Sequence, residues 1–404
     1  MKKVLSVILA IIVFLDVVAI SVLLIDRSKG GIGLGENVKP NESVTDGTGE
    51  VTQVGELFSR VSVVAVGDNL IHDTVYEQAA ARSSGGYDFE YAYQNIAHKI
   101  ESKDVAILNQ ETIISTDHNV SSYPTFNSPV EVGEEMLEIG FDVFNIATNH
   151  SVDCGEKGLI STINYWKSKN AITTGAYLNE ADYQNIPMHE VNGVKIAYVG
   201  YTGAEPLPTN GISLPSDTDV ILMRVEDEER IRQRVMAAKE IADFVVVNAH
   251  WGEEYTHEPS EIQKEFARKL GEWGADVIIG THPHVIQPVE FIDNPDGSRT
   301  LVAYSLGNFI SAQNRGPRML GGMLNFDLVK NNTTGETTVE NVRFEGTVTH
   351  YGYGCSNIRV YPLSEYTEEL ASKHGVISKT PSFSLEYLYG ILEEVIDVMY
   401  LIKN

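Results

Sequence analysis

The chain is poor in positive charge and in cysteine. Its 404 residues include 30 Lys and Arg against 56 Asp and Glu, a formal net charge of −26 at pH 7. A nucleic-acid partner requires a basic face, so this composition predicts no nucleic-acid binding. The two cysteines, Cys154 and Cys355, permit one disulfide in an oxidising compartment but do not require it.

Long apolar runs are confined to the start of the chain. Residues 4–25 follow Met1-Lys2-Lys3 and are interrupted by one acid, Asp16. About 20 apolar residues span a bilayer, and flanking lysines stay inside. The run lacks a small-residue cleavage site, which favours an uncleaved anchor over a removable signal peptide. We therefore predict a single-pass membrane anchor at residues 1–26, with the main domain extracellular.

The remaining chain divides by composition into three parts. Residues 27–59 are rich in Gly, Ser, Thr, Asn and Glu, a composition typical of a flexible linker. A main domain is predicted at residues 60–362, followed by a helical tail at 363–404. Apolar residues alternate with acids from Leu385 to Ile402, which indicates an amphipathic helix. The pattern leaves open whether this helix docks on the domain or binds a partner.

The body of the chain repeats an apolar run, a polar cluster and a helical stretch. The runs span residues 61–66, 104–108, 142–147, 244–249 and 277–279. The periodic segments between them include residues 89–101, 132–139, 156–169, 226–241 and 259–273. Apolar strands alternating with helices predict a sheet covered on both faces. Ligands bind beyond the carboxyl ends of such strands, where the polar clusters lie.

A second pattern begins near residue 285, where β-like runs are separated by turns. These runs span residues 285–292, 300–305, 323–329, 338–344 and 357–361. They are typical of antiparallel sheet, and Asn192-Gly193 signals a further hairpin. We predict an α/β fold in which two sheets pack together between layers of helices.

The polar clusters contain the residue types of a transition-metal site. Imidazoles at i and i+2 in extended chain fall on the same side, so His282 and His284 can face one ion or substrate. Mixed oxygen and imidazole donors suit Zn, Mn or Fe. Single residues also have ordinary explanations, for example Asp68 as a helix cap and His250 as a packed histidine. Because the clusters follow five strand ends, we favour the metal site, formed by these candidates: Asp68, Glu111, Asn149, His150, His250, His282 and His284.

Six ordered motifs resemble the CapA family of capsule and poly-γ-glutamate biosynthesis proteins, within the calcineurin-like metallophosphatase superfamily. The motifs are Gly67-Asp68, Asn109-Gln110-Glu111, Asn149-His150-Ser151-Val152-Asp153-Cys154-Gly155, His250-Trp251-Gly252-Glu253, Gly280-Thr281-His282-Pro283-His284-Val285 and Tyr304-Ser305-Leu306-Gly307-Asn308-Phe309. The resemblance covers about residues 60–345. It implies a metallophosphatase-like four-layer αββα sandwich with a centre of two divalent metal ions (Mn, Fe or Zn).

The resemblance also implies a role for each candidate. Asp68 and His284 would hold the first metal, and Glu111 would bridge to the second. Three residues would complete the coordination of the second metal: Asn149, His250 and His282. His150 would donate a proton to the leaving group.

The opening motif departs from the superfamily pattern. The superfamily usually begins with Asp-x-His and bridges with Asp, whereas this chain has Asp68-Asn69-Leu70 and Glu111. His72, four residues beyond Asp68, is either an extra ligand or a helix-face histidine.

Weaker candidates surround the centre. Asp153 and Glu253 are positioned to orient neighbouring imidazoles. Arg315, Arg318 and Asn308 are candidates for binding an anionic substrate, although solvated surface positions explain the arginines equally well.

Two functions remain open on the sequence. The first is a membrane-anchored hydrolase that cleaves a phosphoester or an amide with metal-activated water, acting on an anionic polymer or a phosphorylated substrate. The second is a non-catalytic subunit of a polymer synthesis or export complex. The chain contains no ATP-binding P-loop, so energy-driven polymerisation would need a synthase or export partner.

Overall fold

The computed structural model describes residues 57–204 and 213–402. The predicted anchor, and all but the last three residues of the predicted linker, lie outside these ranges. Within them, no helix combines the length and apolar character needed to cross a bilayer. Cys154 and Cys355 are both free, so the optional disulfide is not formed.

The strands are numbered here in chain order over the described residues. They are β1 (Phe58–Asn69), β2 (Val105–Asn109), β3 (Val143–Asn145), β4 (Ile172–Thr174), β5 (Ala176–Tyr177), β6 (Met188–Val191), β7 (Val194–Ala204), β8 (Ile221–Leu222), β9 (Phe244–Gly252), β10 (Val277–Thr281), β11 (Val289–Asp293), β12 (Arg299–Ala303), β13 (Asn308–Ile310), β14 (Leu320–Asn331), β15 (Thr337–His350) and β16 (Arg359–Pro362).

The helices are numbered in the same way. They are α1 (Asp73–Arg82), α2 (Glu90–Tyr93), α3 (Ala97–Glu101), α4 (Val130–Glu138), α5 (Gly155–Ser168), α6 (Glu180–Gln184), α7 (Glu228–Ile241), α8 (Glu261–Glu272), α9 (Glu368–Ser372) and α10 (Leu385–Val395). The periodic segment at 89–101 forms two short helices rather than one. Tight turns from Tyr93 to Ile96 and from Ile96 to Lys99 separate them.

Two large sheets carry the fold. The first has the order β16-β15-β14-β1-β2-β3-β4, with β13 also paired to β1. The second has the order β11-β12-β10-β9-β7-β6, and β5 pairs with β8 in a separate ribbon. Strands β1, β2 and β3 are parallel, as are β7, β9, β10 and β12. Their carboxyl ends therefore share an edge within each sheet, where the predicted polar clusters lie.

The alternation of side chains along β9 shows how the second sheet is covered. Val246 joins a core that includes Val63 of the first sheet, whereas Val245 and Val247 join a second core with Phe266 of α8. Successive strand residues point to opposite faces, so the second sheet has the first sheet's core on one face and helices on the other. The molecule is thus a mixed α/β fold.

The helical tail contributes to the same core as the first sheet. Leu388 and Leu392 of α10, together with Ile396 and Tyr400, are buried in that core. The backbone N–H of Phe344 donates to the carbonyl of Tyr400 at 2.7 Å. One face of the amphipathic tail is therefore held by the domain itself.

Candidate metal centre

Asp68 lies near the end of β1 and is fully buried. Its carboxylate accepts a hydrogen bond from the Asn109 side-chain amide at 2.8 Å and one from the His282 backbone N–H at 3.3 Å. Gly67 brings this strand end into place, because a Cβ there would lie 1.8 Å from the carbonyl oxygen of Gly307. Asp68 is therefore held between both sheets and caps no helix.

Glu111 is a fully buried carboxylate that lacks hydrogen-bond partners for both oxygens. Its Oε1 lies 3.7 Å from Nε2 of His284 and 4.0 Å from Nε2 of His250. Burial raises the pKa of Glu111 well above its ordinary value, and the Asp68 carboxylate adds to this, against the opposing effect of His284. A buried carboxylate whose oxygens accept no hydrogen bond is costly, so this position is suited to a cation.

His282 and His284 adopt backbone conformations that the sequence did not indicate. Their φ angles are 96° and 59°, so the expectation of extended chain is wrong. Such left-handed conformations cost roughly 1–3 kcal/mol each in a residue other than glycine and persist where the surroundings enforce them. The two rings nevertheless lie 5.7 Å apart, with both imidazoles buried at the same site.

The two imidazoles differ in their partners. Neither ring nitrogen of His282 has a hydrogen-bond partner, although the residue is 2% exposed. Nδ1 of His284 lies 3.1 Å from Oδ2 of Asp68 and 3.0 Å from Oδ1 of Asn308. Burial lowers the pKa of His284, but the carboxylates of Glu111 and Asp68 outweigh it and raise the pKa to about 9.

His250 projects from β9 into the same space. Its Nε2 lies 2.9 Å from Oδ1 of Asn149, and its Nδ1 lies 3.1 Å from the Thr281 hydroxyl. Burial, reinforced by the neighbouring imidazoles, lowers the pKa of both His250 and His282 well below the ordinary value. Neutral imidazoles of this kind are common metal ligands.

The ligand atoms fall into groups that could hold metal ions, each within 4.8 Å. One group contains Glu111, His250 and His282, and another contains Asp68, Glu111 and His284. Glu111 belongs to both, as a bridging residue must. The unpartnered oxygens of Glu111 and nitrogens of His282 fit a divalent transition metal, which takes mixed oxygen and imidazole donors.

His150 stands beside this cluster and is 5% exposed. Nδ1–H of His150 donates to Oδ2 of Asp153 at 2.8 Å, and its Nε2 lies 4.0 Å from Oε1 of Glu111. The imidazole edge packs against Phe126 with a centroid separation of 4.7 Å. The ring is thus fixed in orientation, with Nε2 directed at the candidate metal site.

The weaker candidates differ from one another in burial and in the groups they contact. Asn308 is buried beneath His284, with Oδ1 3.0 Å from Nδ1 of His284, and its side-chain amide donates to the Arg318 carbonyl at 3.1 Å. Arg318 stacks over Tyr255 with 3.3 Å from guanidinium carbon to ring centroid, whereas Arg315 is exposed and bonds its neighbour Asn314. In the described structure, Glu253 is exposed and forms no hydrogen bond to an imidazole.

His72 is absent from the candidate metal groups. Its Nδ1 accepts a hydrogen bond from the Ala312 backbone N–H at 3.2 Å, and its ring packs against Phe126. Burial lowers its pKa to about 4. It occupies the position immediately before α1 and lines the cavity wall.

Several supporting residues were missed by sequence reasoning. Asn145 donates to Asn109 at 2.8 Å, and Asn109 in turn donates to Asp68, so two amides and one carboxylate from three adjacent strands form a chain. The signal was present in the Asn109-Gln110-Glu111 cluster at a strand end, of which only Glu111 was assigned. Thr281 and Glu254 also contact the histidines.

A cavity of about 430 Å³ opens above the cluster. Its lining includes Tyr123, Phe126, His150, Glu254, Tyr255 and His284. The cavity thus gives access to the candidate ligands past aromatic residues.

The model of the family described as Bacterial capsule synthesis protein PGA_cap matches residues 62–313. The chain belongs to this family. Capsule biosynthesis protein CapA of Bacillus anthracis is 33% identical over 237 residues, covering 56% of this chain and 55% of that protein. PGA biosynthesis protein CapA of Bacillus subtilis (strain 168) is 34% identical over 205 residues, covering 49% and 50%. The chain thus spans about half the length of these curated relatives.

Among solved structures, the calcineurin-like phosphoesterase YfkN from Bacillus subtilis is 15% identical with a TM-score of 0.44. The alignment covers 82% of this PGA_cap chain and 99% of that one.

Proposed function

We propose that this PGA_cap protein is a membrane-anchored, extracellular, metal-dependent hydrolase of capsule or poly-γ-glutamate metabolism, built on a metallophosphatase-like αββα sandwich. The observation that carries the proposal is Glu111. Its two buried oxygens accept no hydrogen bond, and Oε1 lies within 4.0 Å of both His250 and His284. The names of the two Bacillus relatives support the biosynthetic setting.

Two divalent ions, of Mn, Fe or Zn, fit the donors present. Asp68, Glu111 and His284 would hold one ion, and Glu111, His250 and His282 would hold the other, with Asn149 beside His250. When bound, such a pair supplies a nucleophile from water near neutral pH and neutralises charge on the substrate.

The chain's own residues supply the remaining chemistry. His150 is oriented by Asp153 and directs Nε2 toward the cavity, where it would donate a proton to the leaving oxygen or nitrogen. Phe126 covers one edge of that imidazole and limits water access. Arg318, at the rim over Tyr255, would bind an anionic polymer or a phosphorylated group.

The setting follows from the predicted anchor at residues 1–26. A single-pass segment would hold the main domain outside the cell membrane, where capsule polymer accumulates. The charge of −26 would repel a polyanion at long range, but the repulsion is screened beyond about 8 Å at physiological salt. Bound cations in the cavity would then supply local attraction.

The test is metal content together with hydrolysis. We expect E111Q and H282A to lose bound metal and to lose hydrolysis of phosphoester and γ-glutamyl amide substrates. H98A is the matched control, because His98 lies on the surface in an ion pair with Glu365. Unchanged metal content in both E111Q and H282A would overturn the proposal.

A second candidate function is a non-catalytic subunit of a polymer synthesis or export complex. The observation that favours it is the exposed apolar pair Val398 and Met399, which are 71% and 64% exposed after α10. The pair lies beside an apolar cavity of about 410 Å³ to which Val398 contributes. A V398S/M399S variant that loses polymer display but keeps metal and hydrolysis would support this role; unchanged display would count against it.

A further inference from the structure

The candidate metal-ligand group that contains Asp68 lacks one imidazole. In the Asp-x-His motif with which the superfamily usually begins, the histidine two residues after the aspartate would provide it. Leu70 stands at that position, and its apolar side chain lines the cavity without a donor atom. The group around His284 therefore has two carboxylates and one imidazole, one protein ligand fewer than an Asp-x-His site would offer.

We propose that Glu254 supplies the missing donor and is a further metal ligand of this centre. This inference rests on the proposed metal-dependent function and deepens it. One carboxylate oxygen of Glu254 lies 3.9 Å from Nε2 of His284. Ligand atoms of Glu254, His282 and His284 all lie within 4.8 Å of one another, and this group shares His284 with the group of Asp68 and Glu111.

The backbone after β9 brings Glu254 to this position. Gly252 has a φ of 92°, and a Cβ there would lie 2.6 Å from the Gln263 side chain, so the turn requires glycine. Tyr255 has a φ of 69°, and its N–H donates to the Pro283 carbonyl at 2.8 Å. The turn is thus tied directly to the segment that carries His282 and His284.

Tyr255 and Arg318 lie beside Glu254. Burial and the neighbouring Glu254 carboxylate raise the pKa of the Tyr255 phenol, and Arg318 covers the Tyr255 ring. The Glu254 side chain is 38% exposed, whereas His282 and His284 are 2% and 3% exposed. Glu254 therefore approaches the imidazoles from the open side of the cavity, where the buried ligands leave one face uncovered.

Its neighbour Glu253 provides a matched comparison. Both carboxylates are exposed at the cavity rim and differ by one position in the chain. Of the two, only Glu254 belongs to a candidate metal-ligand group with His282 and His284. If metal binding depended only on charge at the cavity rim, both residues would contribute to it. If Glu254 is a metal ligand, Glu254 alone contributes.

The experiment uses the full chain, stripped of metal by a chelator and titrated with Mn²⁺ in a calorimeter. We expect E254Q to weaken Mn²⁺ affinity at one of two sites by at least about tenfold, whereas E253Q binds as the wild type does. E254D keeps the charge but withdraws the carboxylate by one methylene, and should give an intermediate affinity. Thermal denaturation without metal should be the same for all variants, because the side chain is partly exposed.

The outcomes separate this inference from the proposed function. If E254Q binds Mn²⁺ as E253Q does, Glu254 is only a rim acid and the inference is overturned while the metal centre stands. Equal weakening of Mn²⁺ binding in E254Q and E253Q would show that the affinity depends only on the charge at the cavity rim. This result would also overturn the inference. A wild-type chain that binds none of Mn²⁺, Fe²⁺ and Zn²⁺ would overturn both the inference and the proposed function.

Discussion

Oδ2 of Asp153 lies 2.8 Å from Nδ1 of His150, three residues earlier in the same loop. The same oxygen also accepts the backbone N–H of Phe126 at 2.7 Å, so the carboxylate itself cannot turn away. This pair determines which ring nitrogen of His150 faces the cavity. A carboxylate partner on one nitrogen fixes the tautomer and the orientation of the other.

We predict that D153N lowers the rate of hydrolysis by about 10- to 100-fold without loss of bound metal. H150Q should lower it by roughly 10²- to 10⁴-fold, the usual contribution of a proton donor. In the H150Q background, D153N should have little further effect, because Asp153 acts through His150. Steady-state kinetics of the double-mutant cycle measure this; additive losses would contradict the pairing.

Metal removal should destabilise the folded chain. A ligand that binds only the folded state at 1,000 times its dissociation constant adds about 4 kcal/mol of stability. For a domain of this size, we expect chelation to lower the midpoint of thermal denaturation by roughly 8 °C. E111Q should show no such difference between chelated and Mn²⁺-loaded samples, which differential scanning calorimetry can test. A wild type insensitive to chelator would argue against a metal centre.

Gly280 in β10 permits a close approach of backbones beneath the site. A Cβ at Gly280 would lie 1.9 Å from the carbonyl oxygen of Tyr304, which directly follows β12 and accepts a hydrogen bond from Nε1–H of Trp251 at 2.9 Å. We predict that G280A loses about 3 kcal/mol of stability, or about 6 °C in denaturation midpoint. Gly390 in α10 has open space around it, so G390A should instead gain about 1 kcal/mol from helix propensity. Equal effects of the two substitutions would contradict this account.

Much of the site followed from the sequence because parallel strands end at one edge. Asp68 pairs in register with Asn109, and Asn109 with Asn145, so polar residues after apolar runs meet side by side. The long periodic segments likewise predicted helices close to those observed, such as α5 and α8. For these strand ends and helices, the local sequence pattern and the tertiary contacts specify the same structure.

The features of the site that the sequence did not indicate depend on backbone conformations that distant parts of the chain enforce. The positive φ angles of His282 and His284 arise in a segment bonded to Asp68 and Asn308, residues far away along the chain. The contact of Asn308 with His284 was likewise not predicted from the sequence. Choosing Glu254 over Glu253 required the turn at Gly252, because two adjacent acids look alike in sequence.

An acidic cluster on α4 should make stability depend on pH. Burial raises the pKa of Glu135 to about 7, and the neighbouring Glu138, Glu90 and Asp88 add to the shift. An acid with a raised folded pKa destabilises the fold as pH rises from its unfolded value through its folded value. Because Glu135 is only half-buried, we expect E135Q to gain less than about 1 kcal/mol at pH 8, or about 2 °C.

That gain should disappear by pH 5, where the wild-type carboxyl is protonated in the fold. Denaturation midpoints of both chains from pH 5 to pH 8 measure the difference. E386Q is the control, since Glu386 is exposed on α10, and its difference from wild type should not change with pH. A gain for E135Q that is constant across this range would exclude the acidic cluster as its cause.

The two arginines near Pro317 should differ in their effect on substrate binding. Arg318 is partly buried over Tyr255, a residue that lines the cavity, whereas Arg315 is exposed and hydrogen bonds to Asn314. We predict that R318Q raises the KM for an anionic substrate by about tenfold, equivalent to the loss of one charge-assisted hydrogen bond, and leaves kcat nearly unchanged. R315Q should leave both constants unchanged. Equal increases in KM for R318Q and R315Q would show that the arginines act only as diffuse surface charge. Both increases should then become smaller at high salt, because exposed charges are screened.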